Sequence, residues 1–189
     1  MKMQLEHGRP SDAAERQPRE QRVYDLLERL GIDFWRVDHD AARTMEDCAQ
    51  ADQLLGEDTA ICKNLFLRNS KGDQYFLLML PGEKKFRAKD VAHQIGSTRL
   101  SFADEEKMEE YLDILPGSVS VMGLMNDPDC HVQLLIDEDV LRDPFIGCHP
   151  CINTSSLKLA TRDLLEIYLP AVHHEPIIVH LENLDTMEE

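Results

Sequence analysis

The spacing of apolar positions changes several times along the chain, and each change marks an element. Val23, Leu26, Leu27 and Leu30 recur at helical spacing and Gly31 follows them, which predicts a helix that stops at this glycine. Phe34–Asp38 reads as a short strand. Thr44-x-x-Asp47 resembles a capping box, opening a helix to about Leu55. The mostly apolar run 60–68 reads as a strand, Asn69–Asp73 as a turn and Gln74–Leu80 as a second strand, which together make a hairpin. Pro81-Gly82 then breaks the chain. Helices are predicted near 88–95 and 104–112, the second with an acidic start that suits a helix N-terminus, and Arg99–Ala103 is a short strand between them. Leu115–Met125 enters by a turn and continues as an apolar strand; Asn126–Asp129 is a turn and His131–Ile136 a further strand. Residues 137–142 read as one helical turn. After a stiff loop a strand ends near Leu159, Thr161 caps a helix to about Leu169, and Pro176–Leu181 is a last strand. Seven or so strands with interspersed helices and two hairpins indicate an α+β, mixed sheet rather than a regular βαβ alternation.

Residues 1–18 lack apolar periodicity and read as a loose N-terminal arm, residues 19–182 as a single domain and residues 183–189 as an acidic tail. With 189 residues, 42% apolar and 30% charged, the chain can bury a substantial core and has the composition of a soluble protein. No apolar run approaches the roughly 20 residues that span a bilayer, and residues 1–22 hold no apolar signal-peptide core. A cytoplasmic protein with no membrane partner is expected. Five scattered cysteines (Cys48, Cys62, Cys130, Cys148, Cys151) suit reduced thiols better than a disulfide framework.

The net charge of −16 argues against a non-specific nucleic-acid binder. The charge is uneven, however. Eight basic residues (Lys63, Arg68, Lys71, Lys84, Lys85, Arg87, Lys89, Arg99) face only three acidic ones (Asp73, Glu83, Asp90) between 63 and 99. This stretch reads either as an ordinary solvated face or as a phosphate-contacting patch on an acidic body.

The candidate chemistry concentrates in the loop Asp143–Leu157, which holds Gly147, Cys148, His149, Pro150, Cys151, Asn153 and Thr154. Glycine and proline fix unusual backbone angles there, and His149 is ionisable near neutrality. Cys148-His-Pro-Cys151 has the spacing of a thioredoxin-type motif, but that motif opens a helix, and residues 152–159 look extended. A zinc site would need further ligands, and Cys130-His131 is the only other compact thiol–imidazole pair. His173, His174 and His180 carry no ligand spacing and read as surface or strand-edge residues. Cys148 adjacent to His149 does not show the separate thiolate–imidazole pair of a cysteine hydrolase. Lys63 sits in an apolar strand and shares a face with Ile61 and Leu65, so it either snorkels to an edge or reaches a phosphate or carboxylate.

Three separated segments carry a resemblance. Ala60–Leu67, Pro116–Ser120 and Gly147–Thr154 together resemble the YbaK-type aminoacyl-tRNA deacylases, which are similar to the editing insertion domain of bacterial prolyl-tRNA synthetase. The resemblance covers roughly residues 20–181. It implies a curved mixed, largely antiparallel sheet that closes towards a barrel and is flanked by helices. It also implies hydrolysis of mischarged tRNA(Pro), chiefly Ala-tRNA(Pro) as in the free-standing members, by water attack on the aminoacyl ester and without cofactor or metal. The implied catalytic residues are Lys63, Gly117 and His149, and the implied substrate-binding residues are Asn64, Ser118, Val119, Gly147, Pro150, Asn153 and Thr154. Lys63 would contact the terminal adenosine or its phosphate, while the Gly117 and His149 loops would supply backbone groups around the ester and the attacking water. The implied partners are the 3′ acceptor end of an aminoacylated tRNA and, as a candidate, prolyl-tRNA synthetase. Where the family loop often reads Gly-x-x-x-Pro-Phe, this chain has Val121-Met122 after Gly117-Ser-Val-Ser, which leaves one backbone angle unfixed. Deacylation of Cys-tRNA(Pro) is the alternative within the class. A non-catalytic module that binds tRNA or a synthetase is the alternative outside it.

Overall fold

A computed structural model describes residues 3–41 and 45–182, with side chains given outside 45–48. The elements in order are β1 (Leu5–His7), α1 (Pro18–Arg29), β2 (Phe34–Asp38), α2 (Met45–Leu55), β3 (Thr59–Arg68), β4 (Tyr75–Pro81), α3 (Ala88–Gln94), β5 (Ser101–Phe102), α4 (Glu105–Leu112), β6 (Val132–Asp137), β7 (Phe145–Cys148), β8 (Ser155–Ala160) and β9 (Ile177–Val179). Of the expected capping residues, Thr44 lies outside the described residues, as does the 183–189 tail, and the side chain of Asp47 is not described.

The nine strands form one mixed sheet in the order β1-β2-β8-β7-β3-β4-β6-β9, with β5 on the edge of β3. Five pairings are antiparallel, and β3–β7, β4–β6 and β6–β9 are parallel. The sheet is mixed and largely antiparallel, as expected, but it does not close: β1 and β9 remain separate ends of the path.

β4 shows how the sequence builds the core. Tyr75, Leu77 and Met79 enter one apolar cluster while Phe76, Leu78 and Leu80 enter the other, so the strand is buried on both faces and reads as a continuous apolar run. α1 sends Val23, Leu26 and Leu27 into the first cluster, and α3 sends Val91 and Ala92 into the second. α2 packs Ala51 and Leu55 with Val37 in a third cluster. Gly31 ends α1 at φ +67, the left-handed angle that glycine adopts without strain.

Several expectations change. The N-terminal arm is not loose: Leu5–His7 forms β1, paired antiparallel with residues 35–37 of β2. The apolar strand expected within Leu115–Met125 is a 3₁₀ helix over Val121–Asn126. Ser120 Oγ accepts from Met122 N at 3.1 Å and starts that helix. A Cβ on Gly123 would lie 2.4 Å from Ile114 Cδ1, so only glycine fits this packing. Thr161 does not cap its helix, because its hydroxyl donates to Asp143 O at 2.7 Å instead. The loop expected over 143–157 contains β7, which pairs antiparallel with β8. His174 is buried rather than superficial, with Nε2 at 3.2 Å from Asp127 Oδ2. Asp127 also accepts from Val132 N and His131 N, and these bonds outweigh burial and hold its carboxyl at about 2.

Lys84 is also removed from the basic patch expected over 63–99. It is 3% exposed, and its ammonium is shared by Asp137, Asp139 and the Leu181 carbonyl. A buried lysine held by two carboxylates fastens the end of the chain to β6 and presents no charge to a phosphate.

Candidate functional site

β3 changes partner along one edge. Residues 59–61 run parallel to residues 145–147 of β7, and Leu67 and Arg68 run antiparallel to β5. No strand pairs with residues 62–66 on that edge among the described residues. β7 leaves because His149 precedes Pro150, which has no N–H for the ladder, and because Cys151 turns the chain at φ +62. The gap opens into a hollow of about 60 Å³ lined by Asp52, Leu55, Ile61, Cys62, Asn64, Gly147, Cys148, His149 and Ser156. It lies at the carboxyl end of β7 and beside the middle of β3. Larger clefts of about 420 and 600 Å³ lie elsewhere, and neither includes Gly147 or His149.

The roof of the hollow is the last turn of α2. Leu55 O accepts from Thr59 Oγ1 at 2.9 Å and from Lys158 Nζ at 2.7 Å, so the end of the helix is fixed to β3 and β8. Lys158 reaches Asp58 as well, at 2.6 Å. Asp52, three residues before Leu55, therefore points an acid into the site from the same helical face. Burial raises its carboxyl above the ordinary range, against a smaller opposing effect of His39.

His149 is half-buried. Its Nδ1 stands 2.8 Å from the Ser155 carbonyl, which can only accept, so Nδ1 carries the proton and Nε2 is the acceptor in the neutral ring. Desolvation lowers its pKa from the ordinary 6.5, so the neutral form prevails at pH 7. Ser120 Oγ donates to the His149 carbonyl at 2.6 Å and ties the 117–120 turn to the histidine loop. In that turn Gly117 adopts φ +87, and a Cβ there would lie 3.9 Å from Asn153 Nδ2.

Of the residues expected to form a site, Asn64, Gly147 and His149 meet at the hollow; Gly117 approaches Asn153, and neither of these two lines it. Lys63 is not a lining residue. It stands on β3 between Cys62 and Asn64, and alternation places it on the face of Ile61 and Leu65. It is two residues along β3 from Ile61, which does line the hollow. Ser118 and Pro150 are buried, and Val119 packs against the main core; none of the three lines the hollow. Thr154 borders the separate 420 Å³ cleft together with His39. Ser120, Asp52 and Ser156 escaped the sequence reading. Ser120 lay inside a quoted motif, but only its contact with residue 149 gives it a role. Asp52 signals itself as an acid at i,i+3 to the apolar Leu55.

Cys148 and Cys151 do not form a thioredoxin-type redox site, in line with the extended reading of residues 152–159. Both thiols are free and buried, and burial pushes Cys151 up to about 12 and Cys148 higher still, so neither is a thiolate nucleophile. No helix follows them; the chain turns into β8. Among the described residues no group of three or more His, Cys, Asp or Glu is arranged to hold a metal ion, and no helix is long and apolar enough to cross a membrane.

Comparison with known proteins places this geometry in a family. The model of the aminoacyl-tRNA editing domain matches residues 39–167, which include β3, the 117–120 turn and the histidine loop. The prolyl-tRNA editing protein ProX of Acetoanaerobium sticklandii is 33% identical over 147 residues, covering 78% of this chain and 88% of the relative. The prolyl-tRNA synthetase associated domain-containing protein 1 of Mus musculus is 31% identical over 165 residues, covering 84% and 95%. A solved structure described as a candidate trans-editing enzyme for prolyl-tRNA synthetase shares the fold, with TM-score 0.64, 21% identity, and 88% and 99% coverage. A family match over more than half of the chain, together with the identity to ProX, shows that the chain belongs to the aminoacyl-tRNA editing domain family.

Proposed function

We propose that the protein is a trans-editing deacylase that hydrolyses mischarged tRNA(Pro), with Ala-tRNA(Pro) as its main substrate. The observation that carries this reading is the hollow between β3 and β7, closed by a histidine whose Nδ1–H is committed to Ser155 O. The aminoacyl ester is already activated, so positioning it beside a water and a proton acceptor supplies most of what hydrolysis needs. His149 Nε2 takes the proton of the attacking water. A volume of about 60 Å³ makes this a small hollow that favours a compact side chain. Such a second, smaller sieve removes what a proline pocket cannot reject by size.

Lys63, two residues along β3 from Ile61, contacts the phosphate or ribose of the terminal adenosine. Gly117, Asn153 and the Ser120-tethered loop hold the ester from the opposite side. The relatives named for prolyl-tRNA synthetase make that enzyme a candidate partner, which would present tRNA to this acidic chain.

The test is a deacylation series with tRNA(Pro) charged with alanine, cysteine, serine or proline. Alanine is expected to be released fastest and proline to be spared. Lys63→Ala is expected to raise KM about tenfold or more, the scale of one lost charge-assisted contact. Faster release of cysteine would reassign the substrate. Tight, salt-sensitive tRNA binding without release of any amino acid would make the protein a binding module instead.

A further inference from the structure

Two of the polar groups that line the hollow call for a donor. Asn64 Oδ1 is buried and has no hydrogen-bond partner among the described residues. His149 offers Nε2 as an acceptor, because Nδ1–H is committed to Ser155 O. Asp52 brings a carboxyl group from α2. All three residues line the same hollow, with Ser156 and the apolar Leu55, Ile61 and Gly147. A buried acceptor without a donor is costly, and an acid beside it compounds the cost. The group that relieves all of this at once is a compact cation with several N–H donors.

We propose that Asp52 and Asn64 form an ammonium subsite that binds the free α-amino group of the aminoacyl ester, and that Asp52 thereby determines specificity for an unblocked amino acid. The inference rests on the deacylase reading above. A primary ammonium has three donors, one each for Asp52, Asn64 Oδ1 and a water or carbonyl nearby. The desolvation that raises the Asp52 carboxyl is the same desolvation that an entering cation would offset. The apolar wall then takes the methyl side chain, and the ester carbonyl faces His149. Asp52 touches the substrate but takes no part in the proton transfer.

The test compares alanyl-tRNA(Pro) with lactyl-tRNA(Pro), in which a hydroxyl replaces the ammonium at nearly equal size. Single-turnover rates are divided by the uncatalysed rate of each ester, because the two differ in intrinsic reactivity. Wild type is expected to prefer the alanyl ester by about 10- to 100-fold, the scale of one hydrogen bond to a charged group, and Asp52→Asn to bring the ratio close to one. Asn64→Ala is expected to reduce the preference in the same direction, and thermal melts confirm that both variants fold. In parallel, calorimetry with the stable 3′-alanylamido- and 3′-lactylamido-adenosines reads the same preference without turnover. Equal use of the two esters by wild type, or a preference that survives in Asp52→Asn, would overturn the ammonium subsite while leaving the deacylase reading intact. Absence of hydrolysis with either ester would remove the deacylase reading. The calorimetry then decides the subsite by itself: an amine preference abolished in Asp52→Asn supports it, and no preference overturns it.

Discussion

Replacing His149 by alanine is expected to lower kcat/KM for Ala-tRNA(Pro) by about 10²-fold or more, the usual contribution of a positioned general base. The ring is set for this role by two bonds that the substitution treats differently. Its Nδ1–H is committed to Ser155 O, and this bond is lost. Its main-chain carbonyl accepts from Ser120 Oγ, and this bond remains, so the loop keeps its path and the deficit reports the imidazole. The pH profile separates the base from a merely structural ring. Burial lowers the His149 pKa from 6.5, so the reactive neutral form persists below the pH at which an exposed histidine would charge. Wild-type kcat/KM is therefore expected not to decline as the pH drops from 8 to about 6.5 and to fall about tenfold per unit only below the lowered pKa. The residual activity of His149→Ala should show no such limb. A profile that already falls between pH 8 and 7, or a variant that keeps the acid limb, would assign the proton transfer to another group.

Gly147→Val is expected to abolish hydrolysis by filling the hollow. A Cβ at this position would lie 3.1 Å from Ile61 Cδ1 and 3.2 Å from Leu55 Cδ1, so even alanine forces both neighbours to give by a few tenths of an ångström. Valine adds two further methyls where about 60 Å³ is open. The expected loss in kcat/KM is about 10²-fold or more, set against an overpacking cost of about 1–3 kcal/mol that a thermal melt would record. Gly147→Ala should fall between wild type and valine. Gly147 does not adopt a left-handed angle, so backbone strain does not confuse the comparison. Undiminished release of alanine by a folded Gly147→Val protein would place the substrate elsewhere.

These two residues were legible in the sequence because the signals that mark them are local. A histidine before a proline, four residues after a strand-entering Phe145, ends the strand by its own chemistry. β2, β3 and β4 were legible for the same reason: alternation and the Asn69–Asp73 turn act within a few residues. The segment Val121–Asn126 was not, because a continuous apolar run has no period to separate a strand from a buried helical turn. What decides it is non-local. Tyr168 Oη donates to the Val121 and Met122 carbonyls at 3.0 and 2.9 Å, and Ile114 leaves no room for a side chain on Gly123. β1 was missed because all three of its residues are exposed; it is held by its ladder to β2 and by the ion pair of Glu6 with Arg36, not by an apolar pattern. The unclosed sheet likewise depends on where β1 and β9 end, which no local periodicity encodes. At the site, Lys63 lies on β3 as read from the sequence, but it is not among the residues that line the hollow. Ser120 and Asp52 act across 29 and roughly a hundred residues of chain, respectively, and only folding brings them to His149.

The most direct test of the central claim is a structure of the protein with 3′-alanylamido-adenosine, whose amide resists hydrolysis. The alanyl group is expected between β3 and β7, with its methyl against Leu55 and Gly147 and its carbonyl carbon within reach of a water on His149 Nε2. Electron density for the alanyl group in any larger cleft, with the hollow beside His149 left unchanged, would contradict the account.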